Sequence, residues 1–170
     1  MHYSELQCSQ AIHQAVERMG FDEMTEIQEK VIPLMMDGRD VIAKAPTGTG
    51  KTCAFGIPVA EQVDPGQKVP QAVILAPTRE LAQQIAGDME DLTYFMPEVK
   101  VACVYGGANM DKQARRLAEG CQIVVATPGR LMDHYKHRNI DLSHVAQIVL
   151  DEADEMLNMG FTRMCGTSST

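Results

Sequence analysis

Ala45-Pro46-Thr47-Gly48-Thr49-Gly50-Lys51-Thr52 follows the β-branched run 41–45 and precedes a segment of helical spacing. Gly48 and Gly50 permit a tight turn in which successive backbone N–H groups face a phosphate, and a helix starting there adds the positive end of its dipole. Thr47 and Thr49 complete the cradle. Lys51 then reaches the β- and γ-phosphates of a nucleotide, and the Thr52 hydroxyl offers an oxygen to Mg²⁺. A strand that feeds a phosphate loop and then a helix predicts an α/β fold.

Outward from the loop the same alternation repeats. Short apolar runs at 73–76, 99–105, 123–126 and 148–150 are each followed by a polar or Gly/Pro turn and mostly by an amphipathic stretch. Runs apolar on both faces, separated by crossover helices, predict a mostly parallel sheet with helices on both faces. Upstream, Ala11, Ile12, Ala15, Val16 and Met19 share one face of a helix expected over 9–19 and stopped by Gly20. Thr25 and Gln28 have capping-box spacing at the start of a second helix, in which Pro33 predicts a bend. Ligands bind beyond the carboxyl ends of the strands in such sheets. The informative segments are therefore 46–52, 77–82, 106–107, 127–130 and 151–154.

At 170 residues, 45% apolar and 22% charged, the chain suits one globular domain. A domain of this size buries roughly two-thirds of its unfolded surface and needs neither disulfides nor metal to fold. A net charge of −8 and a pI near 5.0 exclude nucleic-acid binding by bulk attraction, so any such contact has to be local. The cysteines are odd in number and form no CxxC pair, which reads as free thiols of a reducing cytoplasm. No apolar run approaches the roughly 18 residues of a membrane span, and Met1-His2-Tyr3-Ser4-Glu5 lacks the regions of a signal peptide. The expectation is a cytoplasmic protein without a membrane partner. His134 and His137, three apart on an expected helix, read as surface residues rather than metal ligands. Lys112, Arg115 and Arg116 read as a solvated helix face.

Asp151-Glu152-Ala153-Asp154 ends the run 148–150. An aspartate at a strand end can hold Mg²⁺, and a neighbouring glutamate can orient or deprotonate the water that attacks a γ-phosphate. One strand end supplying lysine and another supplying Asp-Glu is the pairing that nucleotide hydrolysis requires. Lys51, Asp151 and Glu152 are thus the candidate catalytic residues, with Thr52 and Asp151 the candidate metal ligands.

These motifs, in this order, resemble the first RecA-like domain of a DEAD-box RNA helicase, whose phosphate loop has the form Ala-x-Thr-Gly-x-Gly-Lys-Thr. Gly20-Phe21 with Thr25-Glu26-Ile27-Gln28 is similar to the family's Q motif, and Tyr3 stands where the family has an upstream aromatic. The resemblance implies that Gln28 reads adenine while Phe21 packs near the base. One amide carries both the donor and the acceptor that suit the N6 and N7 edge of adenine. The same side chain can also close the helix cap with Thr25. Pro77-Thr78-Arg79-Glu80-Leu81-Ala82, Gly106-Gly107 and Thr127-Pro128-Gly129-Arg130 resemble the segments that touch the RNA backbone. Hydroxyls and guanidinium groups at helix starts hold phosphates without reading sequence.

The resemblance implies a three-layer RecA-like domain over 1–161, followed by a polar tail over 162–170 that resembles nothing in the family. Glu26 stands where the family usually has proline, which leaves the Gln28 amide in place. Neither the family's Ser-Ala-Thr segment nor its second RecA-like domain, the source of further arginines, follows within these 170 residues. The implied function is the ATP-binding part of an ATP-dependent RNA helicase, with ATP and Mg²⁺ as cofactors and RNA and a second RecA-like domain as partners. The alternative is a nucleotide- and RNA-binding module without turnover.

Overall fold

Backbone hydrogen bonds join β1 (Ala72–Leu75), β2 (Val101–Val104), β3 (Ile123–Ala126) and β4 (Gln147–Leu150) into one parallel sheet in the order β2-β3-β1-β4. The computed structural model describes residues 2–36 and 49–151. The expected strand 41–45, Thr47, Gly48, Glu152 and the tail 162–170 lie outside the described residues. The expected strand 99–105 contracts to its central residues. Val99 donates its N–H to Met96 O in a turn, and the Tyr105 carbonyl accepts from the Gln113 side chain.

Period-two alternation divides the strand residues between two cores, as a sheet covered on both faces requires. Ile74, Ile123 and Val125 face a core shared with Ile57 and Val59 of α3 (Thr49–Gln62) and with Ile85 and Met89 of α4 (Arg79–Leu92). Val73, Leu75, Val124 and Ala126 face the opposite core, shared with Leu117 of α5 (Met110–Ala118) and Leu131 of α6 (Pro128–Lys136). The result is the expected three-layer arrangement. Ile74 is completely buried at the centre of the register, between Val125 and Val149. Truncating such a side chain to alanine typically costs about 2–5 kcal/mol.

At the amino-terminal end, Ser9 caps α1 (Gln10–Arg18) by accepting from the Ile12 N–H, and Gly20 leaves the helix with φ +82°. Thr25 and Gln28 form the predicted capping box in both directions. The Gln28 N–H donates to Thr25 Oγ1 at 3.3 Å, and the Thr25 N–H donates to Gln28 Oε1 at 2.9 Å. The helix they start, α2 (Glu26–Met36), runs through Pro33 without ending. Among the described residues β4 is a sheet edge, and its Ile148 is 65% exposed.

Candidate functional site

Because the strands are parallel, their carboxyl ends lie along one edge of the sheet. Single hydrogen bonds extend the ladder into the loops there. Ala76 N–H donates to Ala126 O (3.0 Å), Thr127 N–H to Val104 O (3.1 Å) and Asp151 N–H to Leu75 O (2.9 Å). The first residues beyond each strand are thereby held in register. The segments 77–79, 105–107 and 127–130 and Asp151 lie side by side, although up to 74 positions separate them in the chain, from 77 to 151.

Arg79 is exposed, and its guanidinium lies 5.3 Å from the centroid of the Tyr105 ring. The Tyr105 hydroxyl accepts from Gln83 Nε2 at 3.0 Å, so α4 braces the end of β2. Gly107 has φ +86°, and a Cβ there would stand 3.5 Å from Arg79 Nη1. Glycine is needed here for its backbone conformation. Thr78 caps α4 through the Leu81 N–H, so its hydroxyl has a structural task. Thr127 occupies the corresponding position before α6 without a capping bond from its side chain, and Pro128 takes the first turn. The first backbone amides of α6 begin there, at the carboxyl end of β3.

Arg130, in a segment expected to touch the RNA backbone, is turned into the domain. Its side chain is 13% exposed, and Nη1 donates to Ala108 O (3.0 Å) and to Gln113 Oε1 (3.2 Å). His134 corrects the surface reading outright, because it is completely buried. Asn139 Nδ2 donates to its Nδ1 at 3.1 Å, which leaves the ring proton on Nε2, and Nε2 donates to Gln113 Oε1 at 3.0 Å. Burial first, and then the Arg130 charge, hold the His134 pKa below its usual value, in keeping with a neutral ring. Arg116 departs in part from the solvated-face reading, since it donates to Val101 O and Gly120 O, whereas Lys112 and Arg115 are exposed.

On the nucleotide side, α3 opens at Thr49, so Thr49, Gly50 and Lys51 form its first turn, as a phosphate loop requires. The Thr52 hydroxyl donates to Asp88 Oδ2 of α4 at 2.9 Å, and both residues are buried. Gln28 is 1% exposed, and its Oε1 accepts from the Tyr3 hydroxyl as well as from Thr25. Phe21 lies 6.2 Å from Tyr3, centroid to centroid, and is packed on the core. Asp151 is 4% exposed at the end of β4. Cys53 and Cys121 are buried free thiols, pushed by burial to about 12 and about 11, and Cys8 and Cys103 are likewise unpaired.

Mg²⁺ favours oxygen donors and is commonly bound by one or two carboxylates together with substrate phosphates. A buried aspartate at the sheet edge fits that role. So does a threonine hydroxyl that gives its proton to Asp88 and keeps lone pairs. Among the described residues no group of three His, Cys, Asp or Glu side chains could hold a metal unaided.

Sequence reasoning missed Asp88, Gln113 and Asn139. A signal existed for Gln113, which shares the inward face of α5 with Leu117 at i+4. Burial raises the Asp88 pKa above the usual carboxylate value, against the opposing effect of the Thr52 bond. In the folded state Asp88 keeps its proton to a higher pH than in the unfolded chain, so its contribution to stability falls as pH rises through the carboxylate range. Asp88→Asn removes that titration. The melting temperature of the variant minus that of the unmodified chain is expected to increase from pH 3.5 to pH 7, by about 2–4 °C for each kcal/mol relieved. Thermal melts across this interval check it, and a pH-independent difference contradicts it.

The family description DEAD/DEAH box helicase matches residues 25–168. The chain is 51% identical over 159 residues to the ATP-dependent RNA helicase CshA of Listeria monocytogenes, covering 94% of this chain and 30% of that protein. It is 48% identical over 159 residues to the ATP-dependent RNA helicase DeaD of Escherichia coli, covering 94% and 25% respectively. The chain thus spans less than a third of the length of either protein. The crystal structure of a DEAD box protein from Methanococcus jannaschii superposes with a TM-score of 0.86 at 42% identity, over 96% of this chain and 44% of that one. Among the described residues no helix is long and apolar enough to cross a membrane. With a phosphate-loop motif opening α3, and with the Asp151 strand end and the loops 77–79, 106–107 and 127–130 along one sheet edge, the chain belongs to the DEAD/DEAH box helicase family.

Proposed function

We propose that this chain is the ATP-binding domain of an ATP-dependent RNA helicase, a protein that couples ATP hydrolysis to separation of short RNA duplexes. The observation that carries the reading is that Asp151 and the backbone-binding segments line up at the carboxyl ends of one parallel sheet, in a chain that also carries a phosphate-loop motif opening α3. Lys51 binds the β- and γ-phosphates. Thr52 and Asp151 hold Mg²⁺, which supplies neutralising charge to the phosphates when bound. Glu152 orients the attacking water. RNA lies along Pro77, Thr78, Arg79, Gly106, Gly107, Thr127, Pro128 and Gly129, with Arg130 behind them. Backbone amides and hydroxyls dominate this track, which suits sequence-independent binding.

Adenine selection falls to Gln28. One amide matches the N6 donor and N7 acceptor of adenine and mismatches the O6 acceptor of guanine, so in the nucleotide complex Oε1 exchanges one of its present donors, Thr25 N–H or the Tyr3 hydroxyl, for the N6 amino group. In the presence of Mg²⁺ the chain is expected to bind ADP more tightly than GDP by about 1–3 kcal/mol, the penalty of leaving a buried polar group mispaired. Calorimetric titration of the two diphosphates measures the difference. Equal affinities would remove the adenine reading while leaving the phosphate site intact. A localisation in the cytoplasm accords with the free thiols.

A further inference from the structure

We infer that His134, with Gln113 and Asn139, is a positioning residue for RNA binding: it turns the Arg130 guanidinium inward to lock the 105–108 loop to α6, so that Arg130 braces the RNA track rather than contacting phosphate. The inference rests on the RNA reading above and assigns this arginine a different task within it. Gln113 is the hub. Its Oε1 has two lone pairs and both are used, one by Arg130 Nη1 and one by His134 Nε2. Its Nε2 donates to Tyr105 O, the first carbonyl beyond β2, at 3.0 Å. Arg130 Nη1 also reaches Ala108 O, so the glycine pair 106–107 is tied at both ends, at Tyr105 by Gln113 and at Ala108 by Arg130.

The imidazole settles which way the hub amide faces. Because Asn139 donates to Nδ1, the ring presents N–H to Gln113, and only the amide oxygen can receive it. The amide nitrogen is thereby directed to Tyr105 O. An apolar ring at 134 fills the same space but removes this preference and leaves Asn139 Nδ2 without its acceptor. The pieces come from α5, α6, the loop after β2 and the turn after α6. The bonds among them therefore tie the loop that carries Gly107 to the helix that begins after Thr127. Asp133 is 57% exposed, and its Oδ2 stands 3.9 Å from Arg130 Nε. It balances part of the charge without drawing the guanidinium outward.

Binding of a short single-stranded oligouridine to the 170-residue chain at a series of low salt concentrations tests the inference. A side chain that itself neutralises a phosphate contributes to the salt dependence, and its loss lowers the log–log slope by about 0.7 for single strands. His134→Phe and Arg130→Met are both expected to weaken binding about tenfold with the slope unchanged. His134→Gln, which keeps an N–H toward Gln113, is expected to return affinity to within about twofold of the original. A slope lowered by about 0.7 in Arg130→Met would overturn the inference, as would unaltered affinity in His134→Phe. Failure of the unmodified chain to bind any oligouridine would remove the RNA reading and this inference together. Unchanged affinity in His134→Phe removes the inference alone. If His134→Phe does not fold, ¹⁵N NMR of the unmodified chain decides. On addition of RNA, the Gly107 and Thr127 amides are expected to shift while the Arg130 side-chain N–H signals stay put. A shift of the Arg130 signals as large as those of the amides would refute it.

Discussion

The 170-residue chain, saturated with ATP and Mg²⁺, is expected to release phosphate at a rate that RNA does not raise, and to separate no duplex. Phosphoryl transfer depends on positive charge placed against the γ-phosphate as charge develops on its oxygens. At the carboxyl edge of the sheet Arg79 lies against Tyr105 and Gly107, and Arg130 is tied to Ala108 and Gln113. Lys51 is the cation that the phosphate-loop motif itself supplies. Family resemblance implies that the missing charge comes from arginines of a second domain across the cleft, and the chain spans 30% of the length of its Listeria relative. In related nucleotide hydrolases an arginine delivered at the transition state is worth about 10³–10⁵ in rate. No rearrangement of Glu152 alone compensates for that. Half of an RNA track, on a domain of net charge −8, likewise lacks general attraction for the strand. Steady-state phosphate release, with and without single-stranded RNA, before and after joining the second domain of a close relative, measures the effect. RNA-stimulated turnover of about one per second by the chain alone would show that the catalytic charge lies within these residues.

The parts of the fold legible in the sequence are those set by local periodicity and local hydrogen bonding. Runs such as 123–126, apolar on both faces, became strands with the predicted bounds, because burial on both sides demands an unbroken apolar stretch. Thr25 and Gln28 satisfied each other across a single helical turn. The same locality explains the overlong strand at 99–105. Val99 and Tyr105 are apolar enough to continue a ladder, but turn and side-chain partners claim their backbone groups. What the sequence did not disclose are the polar groups whose partners lie far away. Thr52 and Asp88 are 36 positions apart, and Gln113 and His134 are 21 apart. Helical spacing places His134 on a face, yet it cannot say that α5 will present an amide to it. Buried polar residues are tolerated only with partners, so tertiary contacts alone decide whether such a position is core or surface. The phosphate-binding motif, by contrast, uses consecutive backbone amides, and a short string of residue types is enough to reveal it.

Lys51→Ala should weaken Mg-ADP and Mg-ATP binding by about ten- to a hundredfold, the range of a lost charge-assisted hydrogen bond of about 1.5–3 kcal/mol. The domain should stay folded. Residue 51 lies in the first turn of α3, where the backbone N–H groups have no partners within the helix to lose, and alanine is the best helix former. The hydrophobic anchors of that helix, Ile57 and Val59 among them, lie more than a turn farther on and are completely buried. Their contribution does not depend on the side chain at 51. Removing a cation from the start of a helix also relieves an unfavourable interaction with the helix dipole, so the nucleotide-free variant is expected to melt at or slightly above the temperature of the unmodified chain. The added stability that ligand confers, which grows as the logarithm of ligand concentration over Kd, should shrink by about 1.4–2.7 kcal/mol at saturating ligand in the variant. Paired melting curves with and without Mg-ADP thus read binding and folding in one experiment. A variant that melts well below the unmodified chain without ligand would place Lys51 in the structural framework. One that keeps the full ligand-induced rise would remove it from the phosphate site.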